Sequence, residues 1–484
     1  MTRDKGLMKI DSLARVLKGS VSGGAAGESF FSVSIDSRTV EEGALFVALR
    51  GSADDGHKYV SRAFERGAAA ALVCRSAFEK NEYGLKDCRG VLIVVDNTLI
   101  ALQDAARAYL EQFPALLKIG ITGSSGKTTT KEIAGAIIGR EKNLVMNPGN
   151  LNSETGLPLA VFNVRACHEV GVFEMGMNRR GEIAELARIL KPQLALVTNI
   201  GTAHIGILGT KEAIAQEKKE IFSCFTGTET ALIPFDSEFA EFLGKDVNGR
   251  VKYFGFEKGA SFEVSRDLGL RGTELMWEGK PVRFGLPGRY NLANALAAAA
   301  LASEVPVSAE AIRRGLESVK PLSGRGEICP GPVTVIKDCY NANPEAVLEA
   351  VGFADSLSWE GRKIYVIGSM LELGEYSGAA HRAAGKALAG SDADMVFLFG
   401  KETLPALAFR DGPGRAVGSK KTREWFYTED MEKLSGKLRS VLRPGDLVLL
   451  KGSRGTALER LMAVIEVQEK MLKAGALQTG EVLG

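Results

Sequence analysis

A glycine-rich segment that contains one central lysine has the residue types that bind phosphate. Its residues are Thr122, Gly123, Ser124, Ser125, Gly126, Lys127, Thr128 and Thr129. Backbone N–H groups of such a loop point at an anion, and a following helix adds the positive end of its dipole. Lys127 supplies a mobile positive charge, and the Thr128 hydroxyl can reach a magnesium ion. The segment therefore predicts a site for nucleotide phosphates, and we expect the nucleotide to be ATP.

The spacing in this loop differs from the standard nucleotide-binding pattern. That pattern requires Gly, four residues and then Gly-Lys-Ser/Thr, and here Ile121 occupies its first position. The glycine that opens this loop is Gly123, so the loop is shorter than the standard form. An apolar stretch precedes the loop, and Ile133 and Ile137 follow it at helical spacing. An ordinary Ser/Gly turn before a lysine is the alternative, but a position between a strand and a helix disfavours it.

Two polar side chains come directly after apolar stretches that have the composition of buried strands. Glu174 ends the stretch that begins at Val170, and His204 follows the stretch at 194–200. In α/β folds the carboxyl ends of parallel strands form the ligand-binding edge of the sheet. We therefore expect Glu174 to bind magnesium or its water, since carboxylates are ligands that this ion prefers, and we expect His204 nearby. The alternatives are a surface glutamate in a turn and a structural histidine.

A lysine lies on the apolar face of the next predicted helix. The apolar residues of that face are Ile214, Ile221, Phe222 and Phe225. On a helical wheel Lys218 lies about 40° from Ile214, inside this face, whereas Lys219 lies about 140° away. A buried lysine can extend its ammonium to solvent, pair with an acid such as Glu174 or Glu217, or be modified. A lysine carbamylated by CO₂ would present a carboxylate to a metal ion, and the pattern alone leaves these alternatives open.

The bulk composition excludes several classes of protein. A formal net charge of +2 and the lack of a Lys/Arg block argue against a nucleic-acid partner. The apolar stretch at 293–302 is too short to span a bilayer, and the first residues lack the apolar core of a signal peptide. Six scattered cysteines contain no C-x-x-C pair, which favours reduced thiols. We therefore expect a cytoplasmic protein with no membrane partner.

The order of apolar and amphipathic segments predicts an α/β protein of three domains. We place a first α/β domain at 1–97, a central parallel-sheet domain with the phosphate loop at 98–321, and a Rossmann-like α/β domain at 322–484. In the central domain, turns at 257–259 and 278–280 interrupt a β-rich stretch. A charged tail from about Glu466 predicts a helix. The third domain lacks a phosphate loop of its own, so we expect it to supply groups to the nucleotide of the central domain.

Two further places carry side chains that are suited to a ligand. Asn291 and Asn294 lie three residues apart at the start of an Ala-rich helix, where their amides could contact an adenine edge. The alternative for Asn291 is a helix cap. In the first domain, Ser37, Arg38 and His57 lie in turns after predicted strands. Ordinary turn chemistry, with His57 as a surface histidine, is an equally good interpretation of these three residues.

Together these segments are similar to the Mur ligases of bacterial cell-wall synthesis. In the central domain the similarity rests on 122–129, Glu174, 199–204 and the helix around Lys218. Segments 338–344, 368–374 and 451–454 resemble the family member that joins D-alanyl-D-alanine to a UDP-N-acetylmuramoyl-tripeptide, and so do 36–38, 55–57, 150–152 and 156–158. The resemblance covers nearly the whole chain. It implies amide-bond formation driven by ATP, with these two substrates.

The resemblance also implies a role for each matching residue. Lys127 and the loop amides would hold the ATP phosphates. Residues implied to coordinate or orient one or two Mg²⁺ ions are Thr128, Glu174, His204 and Lys218, the last as a carbamylated lysine. Residues implied to contact the rest of the nucleotide are Asn291 and Asn294 at the adenine, and Arg325 and Asp338 from the third domain. Residues implied to contact the UDP-substrate are Ser37, Arg38, Asn150 and Asn152. We expect the protein to be a monomer.

One position departs from the family pattern, and two rival functions remain. Relatives commonly carry Asp where this chain has Ser369, which weakens any role at that position. The Asp-Asn-Pro-Arg segment of the sibling that adds diaminopimelate or lysine does not occur here.

A folylpolyglutamate-type ligase shares the short loop, but segments 36–38 and 340–344 disfavour it. A non-ligase phosphate-loop NTPase should have the longer loop that Ile121 interrupts.

Overall fold

The structure is a computed structural model that describes residues 6–24, 27–52, 54–256, 262–410 and 423–468. Within these residues strands and helices alternate around three large sheets, so the α/β prediction is confirmed. The predicted turn at 257–259 and the tail beyond 468 lie outside the described residues. No helix among the described residues is long and apolar enough to cross a membrane. All six cysteines lie in the described residues and are free thiols, as predicted.

The first part of the chain folds around a five-stranded sheet. Its elements are β1 (Met8–Lys9), α1 (Ile10–Val16), β2 (Ser20–Ser22), β3 (Ser29–Phe30), β4 (Ser32–Ser34), β5 (Ala44–Val47), α2 (Val60–Glu65), β6 (Ala70–Cys74), α3 (Arg75–Glu79), β7 (Val91–Val95) and α4 (Thr98–Leu110). The strand order is β2-β7-β6-β5-β4, and only β2 runs antiparallel to its neighbour. Strands β1 and β3 form a separate antiparallel pair.

The central part contains a six-stranded, fully parallel sheet. Its elements are β8 (Leu117–Thr122), α5 (Lys127–Ile138), β9 (Leu144–Met146), α6 (Gly156–Val161), β10 (Val170–Glu174), α7 (Glu182–Leu190), β11 (Leu194–Val197), α8 (Ile205–Leu208), α9 (Lys211–Lys219), β12 (Thr230–Pro234), α10 (Ala240–Gly244), β13 (Arg250–Phe254), β14 (Phe262–Asp267), β15 (Thr273–Trp277), β16 (Lys280–Phe284), α11 (Arg289–Ala302) and α12 (Ala309–Ser318). The order of the parallel sheet is β13-β12-β11-β8-β10-β9, and β14, β15 and β16 form an antiparallel sheet. The predicted parallel sheet is confirmed.

The third part is a second six-stranded sheet with helices. Its elements are β17 (Glu327–Cys329), β18 (Thr334–Asp338), α13 (Pro344–Ser356), β19 (Lys363–Gly368), α14 (Ser377–Gly390), β20 (Met395–Phe399), β21 (Glu424–Thr428), α15 (Met431–Val441) and β22 (Leu447–Lys451). The order is β17-β18-β22-β19-β20-β21, and only β17 is antiparallel. Short 3₁₀ helices occur at Gly56–Tyr59, Glu82–Asp87, Glu220–Phe222, Gly269–Arg271, Gly374–Tyr376, Lys401–Phe409, Arg454–Thr456 and Leu458–Arg460.

The strand order of the central sheet positions the site. Strand β8 lies between β10 and β11, where the order of the strands reverses along the chain. Glu174 pairs with Ile121, and Val197 pairs with Thr122, so the carboxyl ends of the three strands meet at one edge. Ligands bind at such switch points in open parallel sheets. The fold therefore brings Glu174 and the segment after β11 to the phosphate loop.

Helix α11 closes the other side of the phosphate loop. It packs against α5, and its Ala- and Leu-rich sequence is buried over most of its surface. Small side chains allow two helices to approach closely. This close packing brings Asn294 directly against Gly126, where a side chain on the loop would collide with the asparagine amide.

His57 in the first part of the chain has a structural position. Its buried ring lies 2.6 Å from Asp55 Oδ1 through Nδ1, and its Nε2 accepts a hydrogen bond from the Cys74 backbone N–H at 2.8 Å. Both ring nitrogens are therefore used within the fold. The interpretation of His57 as a surface histidine is therefore wrong, because the ring is buried and bonded within the first domain.

Candidate active site

The phosphate loop connects β8 to α5 and has the backbone that the glycines predict. Gly126 precedes α5 with φ of 76°, a left-handed conformation that favours glycine. A Cβ on Gly123 would collide with the Thr198 hydroxyl. Lys127 Nζ donates to the Gly123 carbonyl at 2.9 Å and so folds back over the loop. The loop therefore has the shape of an anion cradle, with its lysine at the centre.

The segment that follows β11 holds this loop in place. The Asn199 Oδ1 accepts from the Ser125 backbone N–H at 3.0 Å, and the Thr198 hydroxyl donates to the Ser125 carbonyl at 2.6 Å. The Gly201 backbone N–H donates to the Ser124 hydroxyl at 2.8 Å. These bonds fix the loop to the segment that follows β11. Asn199 was not among the predicted site residues, although its position after a buried strand could have indicated it.

Glu174 is buried and is held by two side chains from different loops. Its Oε2 accepts from the Thr128 hydroxyl at 2.7 Å, and its Oε1 accepts from Asn152 Nδ2 at 2.6 Å. Burial of a carboxylate is costly unless it is hydrogen-bonded or binds a cation. The structure therefore places Thr128 beside Glu174, as expected, and the interpretation of Glu174 as a surface residue is wrong. The contact of Asn152 with Glu174 was not predicted.

Lys218 is 1% exposed, in agreement with the helical wheel. Neither proposed acid pairs with it: Glu217 accepts from the backbone N–H groups of Gly181 and Ile183, while Glu174 is bound as described above. Among the described residues no hydrogen bond or ion pair reaches the Lys218 ammonium. Burial lowers the pKa of Lys218 well below its usual range, and the charge of Lys127 lowers it further, whereas the charge of Glu217 acts in the opposite direction.

His204 lies where the central and third parts of the chain meet. Its backbone is left-handed, with φ of 65°, and its Nδ1 lies 3.1 Å from Glu372 Oε2 without the geometry of a hydrogen bond. The proximity of the histidine lowers the pKa of Glu372. His204 lines the same cavity as Glu174, and its contact there is with the third domain.

Asn291 and Asn294 are both buried beside the phosphate loop. Asn291 Nδ2 donates to the Pro287 carbonyl at 2.8 Å, and the Thr130 hydroxyl lies 3.4 Å from Asn294 Oδ1. Gly288 is the N-cap of α11, so the helix-cap interpretation of Asn291 is wrong. Both amides line the cavity and can contact a ligand there.

The third domain contributes charged groups to the same cavity. Asp338 ends β18 and forms an ion pair of 2.8 Å with Lys451, which ends the neighbouring β22. The Arg325 guanidinium lies 3.8 Å from the centre of the Tyr340 ring, and Arg454 lies 5.0 Å from it. Stacking on an aromatic face holds a guanidinium while leaving its N–H groups free to bind an anion. The third domain therefore places both charge signs at the cavity, with Asp338 negative and Arg325 and Lys451 positive.

One cavity of about 730 Å³ brings most of the predicted residues together. Those lining it are Ser124, Ser125, Gly126, Lys127, Thr128, Thr129, Asn152, Glu174, His204, Asn291, Asn294, Arg325 and Asp338. Those that do not line it are Thr122, Gly123, Lys218, Ser37, Arg38 and Asn150. Arg38 instead pairs with Asp36 at 2.7 Å on the surface, and this ion pair lowers the pKa of Asp36 to about 2.

Close contacts join the central and third parts beside this cavity. Glu345 accepts from the Thr202 backbone N–H at 3.0 Å and from its hydroxyl at 2.8 Å. The Tyr376 hydroxyl donates to the Gly209 carbonyl at 2.6 Å. A Cβ on Gly206 would lie 2.5 Å from the backbone nitrogen of Gly374. The segment that holds the phosphate loop therefore also contacts the third domain.

The fold and the site define a three-domain α/β protein that binds a nucleotide at a short phosphate loop between two domains. Residues 30–110 match the description "Mur ligase family, catalytic domain", 121–302 match "Mur ligase middle domain", and 324–454 match "Mur ligase, glutamate ligase domain". The chain belongs to the Mur ligase family, as its sequence motifs predict.

Similar proteins match the chain over nearly their whole length. A relative from Treponema pallidum, named UDP-N-acetylmuramoyl-tripeptide–D-alanyl-D-alanine ligase, is 45% identical over 94% of this chain and 98% of its own. A crystal structure of MurF from Acinetobacter baumannii has 29% identity and a TM-score of 0.82, covering 94% of this chain and 98% of that one. MurF ligase from Thermotoga maritima in complex with ADP has 29% identity and a TM-score of 0.75, covering 92% and 98%.

Proposed function

We propose that the chain is an ATP-dependent ligase that joins D-alanyl-D-alanine to UDP-N-acetylmuramoyl-tripeptide in the synthesis of peptidoglycan precursors. The observation that carries the proposal is the 45% identity to the Treponema pallidum relative over nearly both whole chains. A match of that extent includes the outer domains, which distinguish substrates, as well as the nucleotide-binding core. The ADP complex of the Thermotoga maritima relative supports ATP as the nucleotide.

We assign magnesium to Thr128 and Glu174 because their chemistry suits it. Among the described residues no three His, Cys, Asp or Glu side chains form a metal cluster. Magnesium commonly binds through one or two carboxylates together with substrate phosphates. A hydroxyl and a buried carboxylate in contact at 2.7 Å, beside a phosphate loop, fit that pattern. When bound, the ion would neutralise phosphate charge as ATP reacts.

We further propose that Lys218 is carbamylated. CO₂ adds to a neutral amine, and burial favours the neutral form of Lys218 because it lowers the pKa of the ammonium. The modified side chain would carry a carboxylate and could ligate a second cation. The negative carbamate would also balance the positive charge of Lys127, which lies close enough to affect the pKa of Lys218.

The outer domains would bind the two substrates that are joined. We propose that 1–97 binds the UDP-substrate, that 98–321 binds ATP and that 322–484 forms the Rossmann-like domain. Ser37 and Arg38 would contact the uridine-diphosphate end, and Asn150 and Asn152 the loop next to the sugar and peptide. The proposed enzyme is a cytoplasmic monomer.

The residues of the site suit a reaction through an acyl phosphate. The terminal carboxylate of the tripeptide attacks the γ-phosphorus of ATP, and ADP leaves. The amine of D-alanyl-D-alanine then attacks the acyl carbon, and phosphate leaves from the tetrahedral intermediate as the new amide loses a proton. Carboxylate and triphosphate are both anions, so their approach requires neutralisation. Lys127 and Arg325 supply positive charge from the two sides of the cavity.

Domain contact at Gly206 should be required for amide formation. Gly206→Ala would place a methyl group 2.5 Å from the Gly374 nitrogen and 2.7 Å from the Glu372 carbonyl, and so should displace the third domain. Since misplacement of reacting groups by about 1 Å can cost about 100-fold, we expect a loss of that order in amide formation. Small-angle scattering should show a larger radius of gyration with an ATP analogue and UDP-substrate bound.

A matched control for this variant is Gly352→Ala, whose added methyl group would meet open space on α13. It should leave the rate and the scattering unchanged. If Gly206→Ala retains full activity and has the same radius of gyration as the unmodified protein, the contact at Gly206 is not needed for catalysis.

A phosphate-release assay with mass analysis of the product tests the proposed function. The protein is incubated with ATP and UDP-N-acetylmuramoyl-tripeptide, with and without D-alanyl-D-alanine. The proposal predicts that phosphate and the pentapeptide product appear in equal amounts only when both substrates are present. Phosphate release that is independent of D-alanyl-D-alanine would indicate an NTPase. Product formed only from a folate substrate and glutamate would indicate the folylpolyglutamate-type ligase.

A further inference from the structure

Asn147 is fully buried outside the cavity and supports the backbone of Glu174. Asn147 Nδ2 donates to the Glu174 carbonyl at 3.0 Å, and Asn147 Oδ1 accepts from the Glu174 backbone N–H at 2.9 Å. These are the two bonds that a neighbouring strand would make. Strand β9 ends at Met146, and its pairing with β10 ends at Val172. The Asn147 side chain therefore continues the strand pairing to Glu174.

The opposite side of Glu174 is held by β8. Glu174 pairs with Ile121 in the parallel ladder, and the Met175 backbone N–H donates to the Ile121 carbonyl at 2.8 Å. With Asn147 on one side and β8 on the other, the Glu174 backbone is fixed across the sheet. The direction of its carboxylate then depends on both supports.

The same asparagine also fixes the loop that carries Asn152. Asn147 Nδ2 donates a second bond to the Leu151 carbonyl at 2.8 Å. Asn152 follows directly, and its Nδ2 donates to Glu174 Oε1 at 2.6 Å. One buried side chain thus sets the backbone of Glu174 and the position of a side chain that holds its carboxylate.

A buried lysine anchors Asn147 to the helix of the phosphate loop. Lys131 is fully buried in α5, and its Nζ donates to the Asn147 carbonyl at 2.6 Å and lies 3.1 Å from Glu132 Oε1. Burial of a charged group costs free energy unless the group is paired and hydrogen-bonded. Lys131 lies three residues after Thr128, on the same side of α5. The helix therefore holds the Glu174 carboxylate through Thr128 and its backbone support through Lys131.

We propose that Asn147, anchored by Lys131, is a positioning residue for the metal site, because it sets the direction of the Glu174 carboxylate. This inference rests on the proposed function, in which Glu174 binds the magnesium of Mg-ATP. Neither Asn147 nor Lys131 lines the cavity, so both act through Glu174. Groups that orient a metal ligand commonly change metal affinity by about 10- to 100-fold when they are removed.

The test is a titration of the ADP-bound protein with Mn²⁺, in which electron paramagnetic resonance measures the binding. Mn²⁺ serves as the visible substitute for Mg²⁺. Asn147→Ala should weaken Mn²⁺ binding by about 10-fold or more. Lys131→Met, which fills the same volume without a charge, should weaken it in the same direction. Asn97→Ala removes the N-cap of α4 and serves as a stability control, since it should leave Mn²⁺ binding unchanged.

The outcomes separate this inference from the proposed function. Circular dichroism identifies the folded variants, and Lys131→Met decides the result if Asn147→Ala does not fold. Weaker Mn²⁺ binding in a folded variant, with Asn97→Ala unchanged, supports the positioning role. Folded variants that bind Mn²⁺ like the unmodified protein overturn it. If the unmodified protein with ADP binds Mn²⁺ no better than free ADP does, the metal site of the proposed function fails, and the inference fails with it.

Discussion

Replacement of Lys218 by alanine is expected to reduce the rate of amide formation by about 100-fold or more. A carbamate ligand would contribute several kcal/mol of charge stabilisation, and each 1.4 kcal/mol corresponds to about tenfold in rate. Added bicarbonate should not restore the variant, because it has no amine to modify. Formate should restore part of the rate, because it places a carboxylate in the vacated space.

Two other lysine variants show whether this loss is catalytic or structural. Lys218→Met keeps the volume of the side chain and removes a buried polar group that has no hydrogen-bond partner among the described residues, so it should be at least as stable as the unmodified protein and still inactive. Lys219→Ala should retain activity, because Lys219 is directed away from the site, towards the carbonyls of Phe242 and Lys245. An active Lys218→Met, or a Lys218→Ala that formate does not restore at all, would argue against the carbamate.

Replacement of Lys127 by methionine is expected to abolish most of the reaction. Lys127 is the central cation of the phosphate loop, and a charge-assisted bond to a phosphate contributes about 1.5 to 3 kcal/mol. ADP affinity should therefore fall by about 10- to 100-fold. The catalytic rate should fall further, by about 10²- to 10³-fold, because the lysine also stabilises charge that develops at the transferred phosphoryl group. Isothermal titration with ADP and the phosphate-release assay measure the two effects separately.

Lys142→Met is the matched control for Lys127→Met. Lys142 belongs to the same domain, but it lies 3.4 Å from Glu169 outside the cavity. Its replacement should change neither ADP affinity nor rate. Unchanged ADP affinity and rate in Lys127→Met would mean that the loop does not hold the phosphates as proposed.

The features that follow from local sequence were predictable. The phosphate loop is recognised from its glycines and lysine because their backbone and charge requirements are local. Burial of Lys218 follows from helical spacing alone. The meeting of Glu174 with the phosphate loop follows from the rule that parallel strands share a carboxyl edge, and the register of Glu174 with Ile121 confirms it.

The features that depend on packing between distant segments were not predictable. No spacing or motif distinguishes Asn147 in a segment rich in Asn, Pro and Gly, and its side-chain bonds to Glu174 exist only because β9 ends one residue earlier. Asn199 holds Ser125 across 74 residues of sequence. The Thr202–Glu345 contact joins two domains. Such contacts can be identified only in the folded structure, because no residue spacing in the sequence indicates them.

The most direct test of the proposed ligase is an oxygen-transfer measurement. UDP-N-acetylmuramoyl-tripeptide labelled with ¹⁸O in its terminal carboxylate is incubated with the protein, ATP and D-alanyl-D-alanine, and the released phosphate is analysed by mass spectrometry. Attack of the carboxylate on the γ-phosphorus predicts that one ¹⁸O atom passes to each phosphate formed with amide product. Unlabelled phosphate released alongside amide product would contradict the acyl-phosphate reaction at this site.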